Sequence, residues 1–225
     1  MAARKPLLSA RNRKARLDFA SEYRDWTVEQ WRQVLWSDES SVELFDCRRR
    51  VYVRRRQGER FREECLVPSV KFGGGKLMIW GCFSGTGLGE ICRVEGTVDQ
   101  KKYQAILQET MLPSANRLFG REKFVFQHDN APCHAARSVA DFLHQKKISV
   151  MKWPPQSPDL NPIENLWSIL KRKVGLTKPS SLPELWENLR QSWQQISQAE
   201  IDKLIASMPQ RIKLVIKAKG GATRY

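Results

Sequence analysis

The sequence lacks the features of a membrane, secreted or disulfide-rich protein. No apolar run approaches the roughly 18–20 residues that span a bilayer, and the start of the chain lacks the apolar core of a secretory signal. The 5 cysteines are odd in number, scattered and never spaced as C-x-x-C. We therefore expect no membrane partner, and reduced thiols in an intracellular protein rather than disulfides or a zinc site.

Acidic side chains are also scarce. Lys and Arg number 39 against 24 for Asp and Glu, which gives a formal charge of +15 and a pI near 9.9. Such an excess of positive charge favours a polyanionic partner, and in the absence of a membrane span we expect nucleic acid. A chain of 225 residues is long enough for one large domain with a sizeable core, or for a domain with a tail.

Nucleotide-binding loops are missing as well. The glycine-rich stretch Phe72–Glu90 contains Gly75-Lys76, but Leu77 follows where a P-loop needs Ser or Thr, and Gly85–Gly89 lacks the dinucleotide-binding spacing. We interpret these glycines as turns and bulges around a strand, and we expect no nucleotide cofactor. No Ser-His-Asp or Cys-His arrangement is supported by residue order or context.

The most informative stretch runs from Trp153 to Trp167. Four prolines from Pro154 to Pro162 forbid a helix there, and the apolar residues that follow repeat at helical spacing. Asn161 and Pro162 are typical of a helix start, so Glu164 is predicted in the first turn of a helix. A favourable charge at the helix N-terminus is enough to explain an acid at that position. A catalytic role for Glu164 therefore depends on whether other acids lie near it.

Two other acids occur in strand-like stretches. Apolar side chains flank Asp38 within Val34–Phe45, and Asp129 ends an apolar run that begins at Lys123. An acid inside one strand, an acid at the end of another and an acid opening a helix can converge on one point. Their mutual repulsion would be relieved by divalent cations, and a pair of such ions serves phosphodiester chemistry.

Three blocks carry a resemblance to a known family. They are Trp36–Ser40, Gln127–His134 and Ser157–Trp167. In this order they resemble the three catalytic blocks of the mariner superfamily of DDE transposases, and the resemblance extends from about Lys5 to the end of the chain. A glutamate as third acid, separated by thirty-four residues from the second, is similar to the branch that includes the Sleeping Beauty transposase.

The resemblance implies a site and a fold. Asp38, Asp129 and Glu164 match the catalytic acids, which are expected to bind two Mg²⁺ ions, with Mn²⁺ as a substitute. The expected fold is α/β and ribonuclease-H-like, with a mixed central sheet flanked by helices and a glycine-rich insertion at about 71–97. The expected domains are a basic linker and lead-in helix at 1–30, the catalytic domain at 31–210 and a basic C-terminal tail at 211–225.

The resemblance also implies a function. The expected activity is metal-dependent DNA strand cleavage and strand transfer, as in cut-and-paste transposition and integration, by a homodimer that acts in the nucleus. The expected DNA partners are transposon ends and a TA-containing target. Family members begin with a helix-turn-helix DNA-binding region that has no counterpart in this sequence. The alternative is a truncated or domesticated relative that binds DNA without transposition activity of its own.

Clusters of basic residues are candidates for phosphate contacts. They are Arg48, Arg49 and Arg50, then Arg54, Arg55 and Arg56, and finally Lys171, Arg172 and Lys173. The two arginine triplets lie in a predicted second strand, Cys47–Arg56. His134 is expected either to meet a phosphate or to make a structural hydrogen bond. Asp159, between two prolines, is expected to fix a turn, and strand alternation predicts Glu39 on the opposite face from Asp38.

Periodicity predicts the remaining elements. An amphipathic helix is expected over Arg16–Leu35, with Thr27 as a cap for its second half, and a third strand within Phe72–Glu90. A later helix, Asp99–Leu118, is expected to kink or break at Pro113. The other predicted elements are helices at Ala135–Lys147, Leu182–Ile196 and Ala199–Met208, and a short strand at Ile148–Trp153.

Overall fold

A mixed sheet of five strands forms the centre of the molecule. The computed structural model describes residues 7–44, 54–59, 62 and 75–225. The strands are β1 (Val34–Glu43), β2 (Lys76–Ser84), β3 (Gly87–Val94), β4 (Val125–Gln127) and β5 (Ser149–Val150), in the order β3-β2-β1-β4-β5. β1 pairs antiparallel with β2 and parallel with β4, so the longest strand lies in the middle of the sheet.

Helices cover both faces of this sheet. They are α1 (Ala10–Glu22), α2 (Val28–Arg32), α3 (Gln100–Ile106), α4 (Leu112–Phe119), α5 (Arg137–Gln145), α6 (Ile163–Thr177), α7 (Leu182–Gln194), α8 (Gln198–Ala206) and α9 (Met208–Lys217). One core includes residues of α1, α2 and α6–α9, and the other includes residues of α3–α5. The predicted ribonuclease-H-like architecture, a mixed sheet flanked by helices, is confirmed. Within the described residues, no helix is both long and apolar enough to span a membrane.

Strand alternation in β1 decides which residues meet which helices. Trp36 belongs to the core that contains α6, whereas Leu35 belongs to the core that contains α3 and α5. Because successive side chains point to opposite faces, Asp38 lies on the Trp36 side and Glu39 on the Leu35 side. The contacts agree, since Asp38 interacts with Glu164 of α6 and Glu39 pairs with His134. The predicted separation of Asp38 from Glu39 is therefore confirmed.

A glycine in β2 allows α6 to approach the sheet closely. Gly81 pairs with Asp38 across the β1–β2 ladder. A Cβ atom at Gly81 would lie 2.8 Å from the Trp167 ring of α6, and equally close to the side chain of Ile91. Since real Cβ atoms do not approach so closely, only glycine lets the Trp167 ring rest on the sheet at this point. The same packing places the first turn of α6 beside β1.

The N-terminal prediction needs correction. The single helix expected over Arg16–Leu35 is two helices, because α1 ends at Glu22 and the backbone changes direction before α2. Thr27 caps α2 in a capping box with Gln30, so the predicted cap is confirmed. Residues 34 and 35 belong to β1. The apolar residues of this segment serve two helices and a strand, which a single helical period could not distinguish.

The glycine-rich stretch also differs from its prediction. The one strand expected within Phe72–Glu90 is a pair, β2 and β3, and residues 76–94 of the expected insertion form two strands of the central sheet. Most of the strand predicted at Cys47–Arg56 lies outside the described residues. Its last three residues, Arg54–Arg56, are described and are not in a strand.

Two helical segments were predicted with the wrong ends or geometry. Pro113 does not break its helix, because a π-helical turn at Leu107–Met111 joins α3 to α4 just before the proline. The wider turn accommodates the missing N–H of proline. The expected basic tail at 211–225 is partly wrong as well, since residues up to Lys217 belong to α9, which buries Ile212 and Val215. The domain boundaries as a whole stay predictions.

Candidate active site

The three predicted acids line one cleft. A cavity of about 320 Å³ is bounded by Asp38, Asp129 and Glu164, with the proline-rich segment along one wall. Asp38 projects from the middle strand, Asp129 lies two residues beyond β4, and Glu164 is the second residue of α6. β1 and β4 run parallel, and Gln127 at the carboxyl end of β4 pairs with Trp36 within β1, so Asp129 follows close to the level of Asp38. α6 brings the third acid to the same place.

Asp38 and Glu164 form a directly interacting pair. The pKa of Asp38 is raised to about 8, mainly by burial and then by the charges of Glu164 and Glu39. Partial burial also raises the pKa of Glu164, while the Lys171 charge and a hydrogen bond with Asp38 act in the opposite direction. Asp38 therefore holds a proton near neutral pH, next to the carboxyl group of Glu164.

Asp129 has a different environment. Its Oδ1 accepts a hydrogen bond from the Ala131 backbone N–H at 2.9 Å and lies 2.6 Å from His134 Nδ1. The hydrogen bond with His134 is the main cause that holds the pKa of Asp129 below its ordinary value, although burial opposes it. Asp129 is therefore ionised at neutral pH, in contrast to Asp38.

His134 connects Asp129 to the other face of β1. Its Nε2 lies 3.3 Å from Glu39 Oε1, and its ring stacks on Tyr103 with the centroids 3.8 Å apart. Burial alone would lower the pKa of His134, but the hydrogen bonds to Asp129 and Glu39 raise it to about 10. The imidazolium donates from Nδ1 to Asp129, while Nε2 forms an ion pair with Glu39, and the residue is 5% exposed. The structure thus corrects the predicted phosphate contact of His134 and supports the alternative, a structural hydrogen bond.

The cleft walls depend on two asparagines. Asn130 Nδ2 donates to the carbonyl of Trp153 at 2.7 Å, which joins the Asp129 turn to the proline-rich segment. Asn161 Nδ2 donates to the carbonyl of Ser37 at 3.3 Å, and its Oδ1 accepts from the backbone N–H of Ile163. Asn161 was predicted as a helix cap, but its bond to the strand residue next to Asp38 could not be read from local sequence. Both bonds hold the three acid-bearing segments together.

The donor set suits a divalent metal ion, although the acids are not assembled around one. Among the described residues, no three His, Cys, Asp or Glu side chains come close enough to form a ready-made metal site. The Asp129 carboxylate is instead bonded to His134 and to the Ala131 backbone N–H. Asp38 and Glu164 present further oxygen donors, and burial is the main cause of their raised pKa values. Carboxylates from three segments are the donors that Mg²⁺ and Mn²⁺ prefer.

The basic residues predicted to contact phosphates lie in different environments. Arg54, Arg55 and Arg56 are exposed, whereas Arg48, Arg49 and Arg50 lie outside the described residues. Lys171 lies on the exposed stripe of α6 that also contains Glu164 and Ser168, and its charge acts on Glu164. Lys173 instead lies 3.9 Å from Glu200, and the charge of Arg172 also acts on Glu200.

Comparison with known proteins places the chain in a family. Residues 33–199 match the family described as DDE superfamily endonuclease. The transposase of the Tcb1 transposable element of Caenorhabditis briggsae is 40% identical over 222 residues, covering 99% of this chain and 81% of the relative. The Tc1 transposase of Caenorhabditis elegans has the same identity and coverage. The chain therefore belongs to the DDE superfamily of endonucleases, among the Tc1/mariner transposases, whose enzymes cut and join DNA with divalent metal ions.

Solved structures support the same fold. The Mos1 transposase paired-end complex with the left transposon end matches with a TM-score of 0.80 at 22% identity, over 98% of this chain and 66% of that chain. The Mos1 catalytic domain matches with a TM-score of 0.72 at 18% identity, over 99% of this chain and 100% of that one. The present chain thus corresponds to the catalytic part of the longer Mos1 chain. The predicted family and enzyme class are confirmed.

Proposed function

We propose that this chain cleaves DNA at the ends of a transposable element and joins them to a TA-containing target, with Asp38, Asp129 and Glu164 as ligands for two Mg²⁺ ions. Mn²⁺ is proposed as a substitute, the working unit as a homodimer, and the nucleus as the compartment that holds the target. The observation that carries this proposal is the shared cleft, which is lined by three acids from three separate segments of the chain.

The side chains prepare this site in two ways. A bound cation would require Asp38 and Glu164 in their ionised form, and its charge would relieve the repulsion between the two carboxylates. Asp129 is already ionised, and its Oδ1 is bonded to His134. When bound, the ions would supply the charge that activates the attacking oxygen and stabilises the leaving oxygen of the phosphodiester.

Exposed basic residues are proposed to hold the DNA by its phosphates. Arg54, Arg55 and Arg56 are exposed in the described part of the chain, and Lys171 lies two turns along α6 from Glu164. Arg48, Arg49 and Arg50 stay candidates by sequence. Phosphate contacts position the duplex without reading its bases, so we propose DNA binding that depends strongly on salt concentration.

The acid assignment is tested by cleavage of pre-nicked or branched DNA in Mg²⁺. We expect Glu164→Gln and Asp38→Asn each to abolish cleavage, because each removes a metal-binding charge from the cleft, while DNA affinity is retained. Glu187→Gln is the matched control, since Glu187 lies on α7 in an exposed ion pair with Arg190. Ordinary Mg²⁺-dependent cleavage by Glu164→Gln would refute the assignment. Binding without cleavage by the parent protein would favour the non-catalytic alternative.

A further inference from the structure

Two buried arginines meet at Asp159, outside the cleft but next to the segment that leads into α6. Arg16 is 0% exposed and Arg211 is 1% exposed, and they come from α1 and α9 at opposite ends of the chain. Buried arginines are rare because removing the charge from water costs several kcal/mol per ion, by order of magnitude. The bonds that these two side chains make must therefore compensate this cost.

Arg16 holds the carboxylate of Asp159 from the α1 side. Its Nη1 and Nη2 donate to the two Asp159 oxygens at 2.7 and 2.8 Å, in the bidentate geometry that suits a guanidinium and a carboxylate. Its Nε donates to the carbonyl of Gly220 at 3.0 Å. Asp159 also accepts hydrogen bonds from the backbone and hydroxyl of Thr223 at 2.9 Å. The predicted turn residue is thus the centre of an ionic cluster.

Arg211 holds the same segment from the α9 side and also reaches α6. Its Nη1 donates to the backbone carbonyl of Asp159 at 2.8 Å, and its Nη2 donates to Asn165 Oδ1 at 2.5 Å. Its Nε donates to Ser207 Oγ at 2.9 Å, which anchors the guanidinium on α9. Asn165 is the residue after Glu164, in the first turn of α6. One guanidinium therefore connects the turn before α6 to the first turn of α6 itself.

Glu164 lies within the segment that these bonds fix. The chain passes from Asp159 through Asn161 to Glu164, and Arg211 bonds both before and after this stretch. The carboxylate of Glu164 meets Asp38 across the cleft, so a shift at the start of α6 changes the distance between the two acids.

We propose that Arg211 is a positioning residue for Glu164, acting through Asn165, while Arg16 and Asp159 fix the other end of the same segment. The inference rests on the proposed role of Glu164 as a metal ligand. Residues that orient a metal ligand from behind change metal affinity by about 10–100-fold when they are replaced. The geometry of the cleft is in this way set by α1 and α9, which carry none of the three acids.

The test uses Asn165→Ala, because Asn165 is half-buried and its loss leaves Arg211 with its other two bonds. Its matched control is Asn188→Ala, which removes one hydrogen bond from Asn188 Nδ2 to Thr177 Oγ1 at the far end of the same helix. We expect Asn165→Ala to weaken Mn²⁺ binding, followed by paramagnetic relaxation, by about 10-fold or more, and Asn188→Ala to leave it unchanged. Equal Mn²⁺ affinity in both variants would overturn the proposal.

A double-variant cycle separates positioning from general stability. Arg211→Lys keeps the charge but cannot make all three bonds, so Asn165→Ala should cost less Mn²⁺ affinity in the Arg211→Lys background than in the parent. Equal costs in both backgrounds would show that Asn165 does not act through Arg211. Thermal unfolding of each variant gives the stability that a purely structural role would change.

Amide hydrogen exchange tests the same link without metal. The backbone N–H groups of Glu164 and Leu166 bond to the carbonyls of Asn161 and Pro162. We expect Asn165→Ala to speed exchange at these two amides and leave the last turn of α6 unchanged, and no acceleration would overturn the inference. If the parent protein bound no Mn²⁺ through Glu164, the proposed function would fail, while the exchange result would still decide whether Arg211 fixes the start of α6.

Discussion

The charge of each carboxyl group in the cleft follows from its partner. Asp129 has the His134 imidazolium beside it and is ionised, whereas Asp38 and Glu164 face each other and both have raised pKa values. An acid without a cationic partner destabilises a folded protein when it ionises, because burial and like charge both penalise the charged form. The acids that the proposed function requires therefore lower the stability of the metal-free protein.

Replacing Asp38 should stabilise the metal-free protein at high pH. The pKa of Asp38 is raised to about 8, so its favourable protonated form is present at low pH and is lost as the pH rises through that value. Asp38→Asn removes this loss. One pKa unit corresponds to about 1.4 kcal/mol, so at pH 9 we expect the free energy of unfolding to rise by at least about that amount.

Urea unfolding in the presence of a chelator measures this effect. The gain from Asp38→Asn should grow between about pH 4 and pH 8 and then level off, because over that range the unfolded side chain is ionised while the folded one still holds its proton. A variant that is equally stable to the parent at every pH would show that Asp38 ionises without penalty. The raised pKa of Asp38 would then be wrong.

Asp159→Asn should destabilise the protein at neutral pH, where the Asp159 carboxylate is ionised. Burial alone would raise the pKa of Asp159, but hydrogen bonds and charge from Arg16, with bonds from Thr223, hold it below its ordinary value. The stabilisation is therefore present above about pH 4 and is lost as the pH falls below it. At neutral pH we expect a loss of about 3–5 kcal/mol, because Arg16 is left buried without its full partner.

Asp202→Asn is the matched control for this prediction. Asp202 pairs with Arg32 at 2.7 Å, but both side chains are more than a third exposed, so water screens the pair. Its replacement should cost far less than that of Asp159. Equal losses in the two variants, measured by urea unfolding at pH 7, would mean that burial does not strengthen the Arg16–Asp159 pair.

At the level of whole elements, several local signals predicted the structure correctly, whereas contacts between distant segments could not be predicted. The Asp38 strand, the Thr27 cap and the proline-stiffened entry to Glu164 depend on residues a few positions apart, which pattern and turn chemistry can reveal. The bond between Arg16 and Asp159 joins residues 143 positions apart, and it needs the folded contact between α1 and the segment before α6. The same limit hid the His134–Glu39 contact, since both partners look ordinary in their own segments.

Gly81→Ala should displace α6 and weaken the cleft. The added Cβ would lie 2.8 Å from both the Trp167 ring and the Ile91 side chain, so α6 must move away from the sheet. We expect a loss of about 1–3 kcal/mol in unfolding free energy, typical of overpacking, together with weaker Mn²⁺ binding as Glu164 moves from Asp38. Chemical denaturation and metal titration measure the two effects.

Lys76→Ala provides the control for the Gly81 variant. Lys76 lies at the exposed start of β2, away from the contact between Trp167 and Gly81. Its replacement should change neither stability nor Mn²⁺ affinity appreciably. If Gly81→Ala behaved in the same way, the close packing of α6 on the sheet would not control the cleft.

For the molecule as a whole, only part of the positive charge is available to a polyanionic partner. The formal charge of +15 predicted a polyanionic partner, and membership of a DNA-cutting family agrees with that prediction. The total charge does not reveal which residues contribute, because several cations are used internally. Arg16 and Arg211 are buried, and Lys173 lies close to Glu200. Only the folded structure distinguishes these internally paired cations from the exposed ones.

Two lysines of α6 test which basic residues contact DNA. Lys171 lies on the Glu164 side of α6, and Lys173 lies on the Glu200 side, only two residues further along. A lysine that neutralises one phosphate contributes about 0.9 to the slope of log affinity against log salt. We therefore expect Lys171→Gln to weaken binding of any duplex and to reduce that slope by about 0.9. Lys173→Gln should leave the slope unchanged.

The measurement is a salt titration of binding to a terminal-repeat duplex and to a scrambled duplex of equal length. Phosphate contacts carry no base information, so Lys171→Gln should weaken both duplexes alike. A reduced slope in Lys173→Gln and an unchanged slope in Lys171→Gln would place the DNA on the other side of α6, away from the three acids. The cleft could not then be the site where the strand is cut.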